Sequence, residues 1–318
     1  MNIRSAVKNI LLFFVFIFLV GIILWVLQWF FVNLYSFLER KIVSKQQNFI
    51  AGVKEVTVPQ NLLPLRNWQV EDLKIDTEAA ISVETDLLLQ KKVLLRKDET
   101  KILPIASLSK LMTALVVLDN YNLQQQLAIK AEDVLQEGDQ GSLKEGQILS
   151  VKNLLYIMLI ESSNDAAFAL SSILGQQGFV ALMNAKANSL GLLNSRFADS
   201  SGLDPGSYST AKDLVALTEY LLNKYPLVWQ ITGIKEHDLY LDNGELHHKL
   251  INTNKLLEAI PEVVGGKTGF TSYARGSFLV IEKSPKEGNY LIHVVLGSED
   301  RLEDMKKIIN WLEAAYEW

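Results

Sequence analysis

The stretch Pro104-Ile-Ala-Ser-Leu-Ser-Lys-Leu-Met-Thr-Ala114 decides how the rest of this chain is interpreted. Its apolar residues recur at helical spacing, which predicts a helix from about Ser107 through Leu118. If Ser107 lies in the first turn, Lys110 follows one turn later on the same face, within reach of the hydroxyl. A serine hydroxyl becomes a good nucleophile only when a base takes its proton. The stretch therefore predicts a nucleophile and its base; a helix cap followed by a surface lysine is the ordinary alternative.

Lys110 acts as a base only if its amine is largely neutral, so its pKa must lie well below the usual value for lysine. Burial and a second nearby cation both lower a lysine pKa. Lys267 is the candidate for that second cation. The amides at the start of the helix would also point toward the negative charge that develops when Ser107 attacks.

A second short motif, Ser162-Ser-Asn164, follows an apolar stretch and precedes another helical one. A loop between two helices would present Ser162 to the nucleophile, as a proton carrier toward a leaving amine. The amide of Asn164 would hold the backbone or side chain of a substrate. Taken alone, the same letters are most often a helix cap.

A third motif, Lys267-Thr-Gly269, lies within the glycine-rich run from Gly265 to Thr271. Glycine on an edge strand lets a substrate backbone approach closely. Lys267 and Thr268 would offer a cation and a hydroxyl to a carboxylate. The amide of Phe270, with that of Ser107, would form an oxyanion hole.

A glycine-rich run with a lysine also suggests a phosphate-binding loop. That interpretation is excluded here because the motif needs a glycine where Pro261 stands. A plain β-turn remains the ordinary alternative for the isolated motif.

Composition narrows the class of protein. The chain has 318 residues, a net charge of −5 and no dense run of Lys or Arg, which argues against nucleic acid as a partner. It has no cysteine, so disulfides, thiolate metal sites and a cysteine nucleophile are excluded. With 49% hydrophobic residues, most of the chain is expected to form a packed core.

The N-terminal region predicts a membrane anchor. Residues 10–32 are almost entirely apolar and, as a helix, would cross a hydrocarbon core of roughly 30 Å. The run is longer than the apolar part of a signal peptide and bulky residues follow it, so we expect an uncleaved anchor over residues 1–40. Residues 41–72 are predicted to be a juxtamembrane spacer, and residues 73–318 a catalytic domain.

The order of predicted elements indicates an α/β fold. Ala79–Val83 and Leu87–Leu95 are predicted to be strands joined by a turn at Glu84-Thr-Asp86. A helical middle follows, in which Thr210-Ala-Lys-Asp213 is typical of a helix start. Strands return near the end, and a final helix covers Arg301–Tyr316. This order predicts a mostly antiparallel sheet, shared by both ends of the domain and flanked by helices, rather than a doubly wound fold.

The three motifs together resemble those of the D-alanyl-D-alanine carboxypeptidase family, the low-molecular-weight penicillin-binding proteins of serine peptidase type. The resemblance covers roughly Ala79 to Tyr316. Further matching stretches are spread along the domain: Phe179-Val-Ala-Leu-Met-Asn184, Leu190-Gly191, Ser201-Gly-Leu-Asp204, Tyr208-Ser-Thr-Ala211 and Asn252-Thr-Asn-Lys-Leu-Leu257.

The resemblance implies a β-lactamase-like fold, with a helical subdomain, and an enzyme that removes the terminal D-Ala from peptidoglycan pentapeptide stems. It also implies that the catalytic domain lies on the periplasmic or extracellular side of the membrane. By position, Ser107 is similar to the acylated nucleophile, Lys110 to the proton acceptor, Ser162 to the relay and Lys267 to the carboxylate-binding residue. Stem peptides and β-lactam antibiotics, the latter as covalent inhibitors, are the implied partners. No cofactor and no metal are expected.

Two departures from the family pattern matter. Arg275 stands where many relatives have glycine, and would either add a cation near the substrate carboxylate or face solvent. Phe270 replaces a residue that is often polar. Many relatives also continue into a second β domain with an amphipathic anchor after it.

Several other activities use the same three motifs. A D,D-endopeptidase or transpeptidase acting on cross-links would carry identical residues. A class A β-lactamase would also need a glutamate about 35 residues after the second motif, whereas the first one after Glu161 is Glu219. A non-catalytic penicillin-binding sensor is a further alternative.

The histidines do not indicate a metal centre. His247 and His248 lie in Glu245-Leu-His-His248 without a third ligand at a useful spacing. They are predicted to be solvated residues at the surface.

Overall fold

The computed structural model describes residues 64–86, 91–138 and 140–318. The described residues belong to one compact unit, Leu63–Trp318. The predicted anchor over residues 1–40 lies outside the described residues, as does most of the predicted spacer. The last part of that spacer includes the first strand, so it belongs to the folded unit.

The described residues form thirteen strands: β1 Leu65–Arg66, β2 Ala79–Thr85, β3 Lys91–Lys97, β4 Leu103–Pro104, β5 Gln126–Ala128, β6 Ile148–Ser150, β7 Tyr208–Ser209, β8 Glu236–Tyr240, β9 Leu246–Ile251, β10 Val263–Thr271, β11 Arg275–Lys283, β12 Tyr290–Ser298 and β13 Tyr316–Glu317. Eight α-helices lie between them: α1 Ser109–Asn120, α2 Val151–Ile160, α3 Asn164–Ser172, α4 Gln176–Ser189, α5 Ala211–Lys224, α6 Leu227–Thr232, α7 Leu256–Ala259 and α8 Arg301–Ala315.

The main sheet has five antiparallel strands in the order β10-β11-β12-β2-β3. Strands from both ends of the domain share it, as predicted, and β10 and β3 are its edges. Both faces of the central strands are buried because helices cover each of them. Leu279 and Ile281 pack into the core under α1, α2 and α5, while Phe278 and Val280 pack against α8.

The predicted turn at Glu84-Thr-Asp86 is wrong for its first two residues. Glu84 and Thr85 are buried members of β2. The Glu84 carboxylate accepts hydrogen bonds from Ser284 Oγ at 3.1 Å and Asn289 Nδ2 at 2.9 Å. Partners from the distant β11–β12 connection thus satisfy a polar group that local sequence assigns to a turn.

The predicted helix starts are close to those observed. Thr210 caps α5, and its hydroxyl accepts a hydrogen bond from Asp213 N at 3.0 Å, which confirms the predicted start. The helix expected from Ser107 begins as a 3₁₀ turn, Ala106–Leu108, before α1.

Within the described ranges, no single helix is long and apolar enough to cross a bilayer. The pair α3 and α4 reaches the required length and composition only when taken together, and it bends by 97° between the two.

Candidate active site

Ser107 and Lys110 lie side by side where the 3₁₀ turn leads into α1. Lys110 Nζ lies 2.8 Å from Ser107 Oγ, as their spacing predicts. The same nitrogen donates hydrogen bonds to Asn164 Oδ1 at 2.6 Å and to the carbonyl oxygen of Ser201 at 2.9 Å. A hydroxyl, a side-chain amide and a backbone carbonyl therefore surround the amine.

The backbone around Ser107 is constrained by two close glycines. Ala106 has a φ of 48°, a left-handed conformation that costs free energy for a residue with a Cβ. A Cβ on Gly202 would lie 1.9 Å from the carbonyl oxygen of Ala106, and one on Gly269 would lie 3.0 Å from Ser107 N. Only glycine at position 202 allows the chain to pass this close, so the two segments hold the strained turn in place.

Burial of Lys110 changes its proton affinity. The side chain is fully buried, and this desolvation lowers the Lys110 pKa to about 7, although the nearby Asp199 carboxylate opposes the change. A large share of the amine is therefore neutral at pH 7 and able to accept a proton. Burial, rather than the predicted repulsion from Lys267, is the main cause.

Ser162 and Lys267 form the second pair of the cleft. Ser162 lies between α2 and α3 with a φ of 66°. Lys267 Nζ donates to Ser162 Oγ at 2.7 Å and to the carbonyl oxygen of Thr268 at 3.0 Å. Lys267 is buried, and its pKa is lowered well below the usual value by desolvation, with repulsion from Lys110 and Arg301 adding to the effect.

Strand β10 brings the third motif to the edge of the sheet beside Ser107. Thr268 Oγ1 donates to Thr253 Oγ1 at 2.7 Å, which ties β10 to the segment after β9. The side chain of Phe270 is 66% exposed at the rim. An oxyanion hole made by the Phe270 and Ser107 amides stays a prediction.

Asn164 makes its contacts within the protein. Its amide nitrogen donates to the carbonyl oxygen of Glu137 at 2.6 Å, and its amide oxygen accepts from Lys110. The loop after the short 3₁₀ helix Ala131–Val134 therefore fixes which end of the Asn164 amide faces the lysine.

The convergence of these residues agrees with comparisons to known proteins. The family model described as D-alanyl-D-alanine carboxypeptidase matches residues 66–300. The chain belongs to this family.

Among curated relatives, the D-alanyl-D-alanine carboxypeptidase DacF of Bacillus subtilis is 31% identical over 77% of this chain and 65% of its own length. A D-alanyl-D-alanine endopeptidase of Pseudomonas aeruginosa is 33% identical over 70% of this chain and 73% of its own length. The chain thus spans somewhat less than two thirds of the first of these relatives.

Solved structures show the same fold. A D-alanyl-D-alanine carboxypeptidase from Mycobacterium tuberculosis H37Rv superposes with a TM-score of 0.68 at 30% identity, covering 79% of this chain and 96% of the other. A variant of the Streptomyces K15 DD-transpeptidase superposes with a TM-score of 0.67 at 26% identity, covering 76% of this chain and 100% of the other. The fold is therefore the mixed α/β fold of penicillin-binding transpeptidases.

In this carboxypeptidase-family chain, the extra cation beside β10 is Arg301 and not Arg275. Arg275 pairs with Glu299 at 3.1 Å, and both side chains are largely exposed. Arg301, at the start of α8, donates to the carbonyl oxygen of Gly269 at 3.2 Å and lies 5.9 Å from the centre of the Phe270 ring. Burial lowers the Arg301 pKa from its usual value. Arg301 was not predicted as a site residue, because no local pattern marks a residue that reaches the site from the far end of the chain.

The predicted solvation of His247 and His248 in this family member is wrong. Both are half-buried, and His248 Nε2 lies 2.9 Å from a carboxylate oxygen of Glu161, the residue before Ser162. Burial and the neighbouring His248 lower the His247 pKa. In the part of the domain that the structure describes, no three His, Asp or Glu side chains converge on a possible metal position.

Proposed function

We propose that this chain is a serine-type D-Ala-D-Ala carboxypeptidase that removes the terminal D-Ala from peptidoglycan pentapeptide stems. The observation that carries the proposal is the Lys110 amine, buried, with a pKa of about 7, and 2.8 Å from Ser107 Oγ. A base with a pKa near the working pH, within hydrogen-bond distance of a hydroxyl, is the requirement for activating a serine.

Acylation then follows from the positions of three side chains. Ser107 Oγ bonds to the carbonyl carbon of the penultimate D-Ala while its proton passes to Lys110 Nζ. The C–N bond breaks, and the departing amine of the terminal D-Ala takes that proton from Lys110 through Ser162 Oγ, which leaves Lys110 neutral again. Water next attacks the acyl-enzyme, again with Lys110 as proton acceptor, and releases the shortened stem and free Ser107.

Binding of the substrate carboxylate is assigned to the edge of β10. Lys267 and Thr268 offer it an amine and a hydroxyl, and the negative charge of the carboxylate favours the protonated form of that amine. The amide of Phe270 lies on the same strand. Asn164, whose amide oxygen accepts from Lys110, is the residue proposed to contact the peptide beside the reacting bond. β-Lactams, which carry a carboxylate and a strained amide, are expected to acylate Ser107 and block the enzyme.

The test is product analysis with pentapeptide muropeptides. The protein should release free D-alanine and leave tetrapeptide stems, as mass spectrometry would show. Penicillin should increase the intact mass of the protein by its own mass, because ring opening expels no leaving group. Rapid multiple turnover of penicillin, with no D-alanine released, would instead indicate a β-lactamase.

A D,D-endopeptidase is the second candidate. It is favoured by the P. aeruginosa relative of that name, of whose length this chain covers 73%. Cross-linked muropeptide dimers distinguish the two activities, since an endopeptidase converts dimers to monomers without releasing free D-alanine.

We also propose that residues 1–40 anchor the enzyme in the cell membrane, with the catalytic domain on its outer side. The support is the apolar run at residues 10–32, which precedes the folded unit Leu63–Trp318 in the sequence. The full chain should stay in membranes washed with alkaline carbonate, and the same chain beginning at residue 41 should not. Recovery of the full chain in the soluble fraction would contradict the anchor.

A further inference from the structure

A chain of polar side chains ends on the residue that precedes Ser162. Glu161 caps the C-terminus of α2, and His248 Nε2 lies 2.9 Å from its Oε2. His247 Nδ1 lies 2.6 Å from His248 Nδ1, and His247 Nε2 lies 3.2 Å from Gln147 Oε1. We call these four residues the histidine chain.

The Glu161 carboxylate fixes one hydrogen on His248. It only accepts hydrogen bonds, so His248 Nε2 carries the hydrogen between them. His248 Nδ1 and His247 Nδ1 lie within hydrogen-bond distance of each other, so the two rings are joined whichever nitrogen donates. His247 thus holds the orientation in which the His248 ring faces Glu161.

The β8–β9 hairpin and the segment after it also form hydrogen bonds with the two residues just before Ser162. Ile251 N donates to Glu161 Oε1 at 3.4 Å, and Thr253 N donates to the carbonyl oxygen of Ile160 at 3.2 Å. Thr253 Oγ1 accepts from Thr268 Oγ1 on β10. The hairpin therefore connects the end of α2 to the strand that carries Lys267.

Ser162 needs such support because its φ of 66° is disfavoured for a residue with a side chain. On its C-terminal side, Ser163 fixes the chain by capping α3, and its hydroxyl accepts from Ala166 N at 3.2 Å. On its N-terminal side, Glu161 is the fixed point. Without it, the chain is free to relax, and Ser162 Oγ would move away from Lys267 Nζ.

We propose that Glu161 and His248 are positioning residues, which hold Ser162 where it delivers a proton to the leaving group. This inference rests on the proposed carboxypeptidase function and adds two residues to it. Among the described residues, the Glu161 and His248 side chains bond to each other and to the β8–β9 hairpin, and not to Ser107 or Lys267. Their effect is confined to the step that depends on the Ser162 hydroxyl.

The dependence on the leaving group tests this role. Hydrolysis of an acyl-D-Ala-D-Ala peptide expels an amine, which must be protonated as it leaves. An analogous thiolester expels a thiolate, which leaves without a proton. Glu161→Ala should lower kcat/KM for the peptide about 10-fold to 100-fold, because a small misplacement of a catalytic group costs that much. For the thiolester, kcat/KM should stay close to the wild-type value.

Three further variants control the comparison. Glu161→Gln keeps an oxygen that accepts from His248 and should restore most peptide activity. His248→Ala should reproduce the split between the two substrates, and it supplies the test if Glu161→Ala folds poorly. Glu236→Ala removes a carboxylate from the same hairpin that pairs with Lys249 at 2.8 Å, and should leave both rates unchanged.

The outcomes separate this inference from the proposed function. Wild-type protein that cleaves the thiolester but releases no D-alanine from pentapeptides contradicts the carboxypeptidase assignment. Equal losses on both substrates in folded Glu161→Ala and His248→Ala, or no loss on either, overturn the positioning role. A loss confined to the peptide, with rescue by Glu161→Gln, supports it.

Discussion

Ser107→Ala is expected to remove all covalent reaction with penicillin and all release of D-alanine. The substitution deletes the only atom that bonds to the acyl group in the proposed mechanism, and Lys110 cannot replace it because its amine lies fully buried behind Ser107. In serine hydrolases, loss of the nucleophile lowers kcat by a factor on the order of 10⁶. Intact-mass spectrometry after incubation with penicillin should show only unmodified protein.

Ser109→Ala is the matched control for this experiment. Ser109 lies two residues further on, is fully buried, and its hydroxyl has no hydrogen-bond partner in the structure. Removal of a buried unpaired hydroxyl costs little stability, so this variant should fold and be acylated like the wild type. A penicillin adduct that persists in folded Ser107→Ala would show that the nucleophile is another residue.

Local spacing accounts for the part of the site that was predictable. Ser107 and Lys110 are three residues apart, so helical geometry alone places them together. Ser162 and Lys267 are separated by 105 residues, and no local rule joins them. Their proximity was expected only because the motifs resemble those of a known family.

The missed contacts depend on how distant segments pack. The carbonyl oxygen of Ser201 accepts a hydrogen bond from Lys110 in the site. Every residue has such a carbonyl, so the sequence carries no signal for this contact. Arg301 reaches β10 only because α8 begins where β12 ends, beside the edge of the site. His248 was predicted to be solvated because its sequence neighbourhood lacks a third metal ligand, whereas packing of the β8–β9 hairpin on α2 leaves it half-buried.

The main sheet, unlike these contacts, could be predicted from local sequence. The apolar runs in β2, β3, β11 and β12 predict strands without any knowledge of their partners. Their grouping at the two ends of the domain, around a helical middle, then predicts one antiparallel sheet. The predicted end of β2 was wrong at Glu84 and Thr85, where partners about 200 residues away in the sequence extend the strand.

Lys110→Met is expected to leave a folded protein that is acylated about 10²-fold to 10⁴-fold more slowly, the range attributed to a general base. Methionine has nearly the length and volume of lysine, and it replaces a buried amine with an apolar group. The cleft should therefore stay filled, so the loss reports the missing base and not a collapsed site. Circular dichroism and the thermal midpoint would establish that the variant is folded.

The pH dependence makes the assignment of Lys110 specific. Acylation needs the neutral amine, and with a pKa of about 7 its neutral fraction rises as pH increases through that value. The wild-type acylation rate should consequently fall about tenfold for each unit below pH 7 and level off above about pH 8. Lys110→Met should lose this dependence, leaving a low and nearly flat profile of acylation rate against pH.

If Lys110→Met instead kept the wild-type acylation rate and its rise near pH 7, another group would be the base that titrates. Lys267 is the alternative, since burial also lowers its pKa and its amine lies 2.7 Å from Ser162 Oγ.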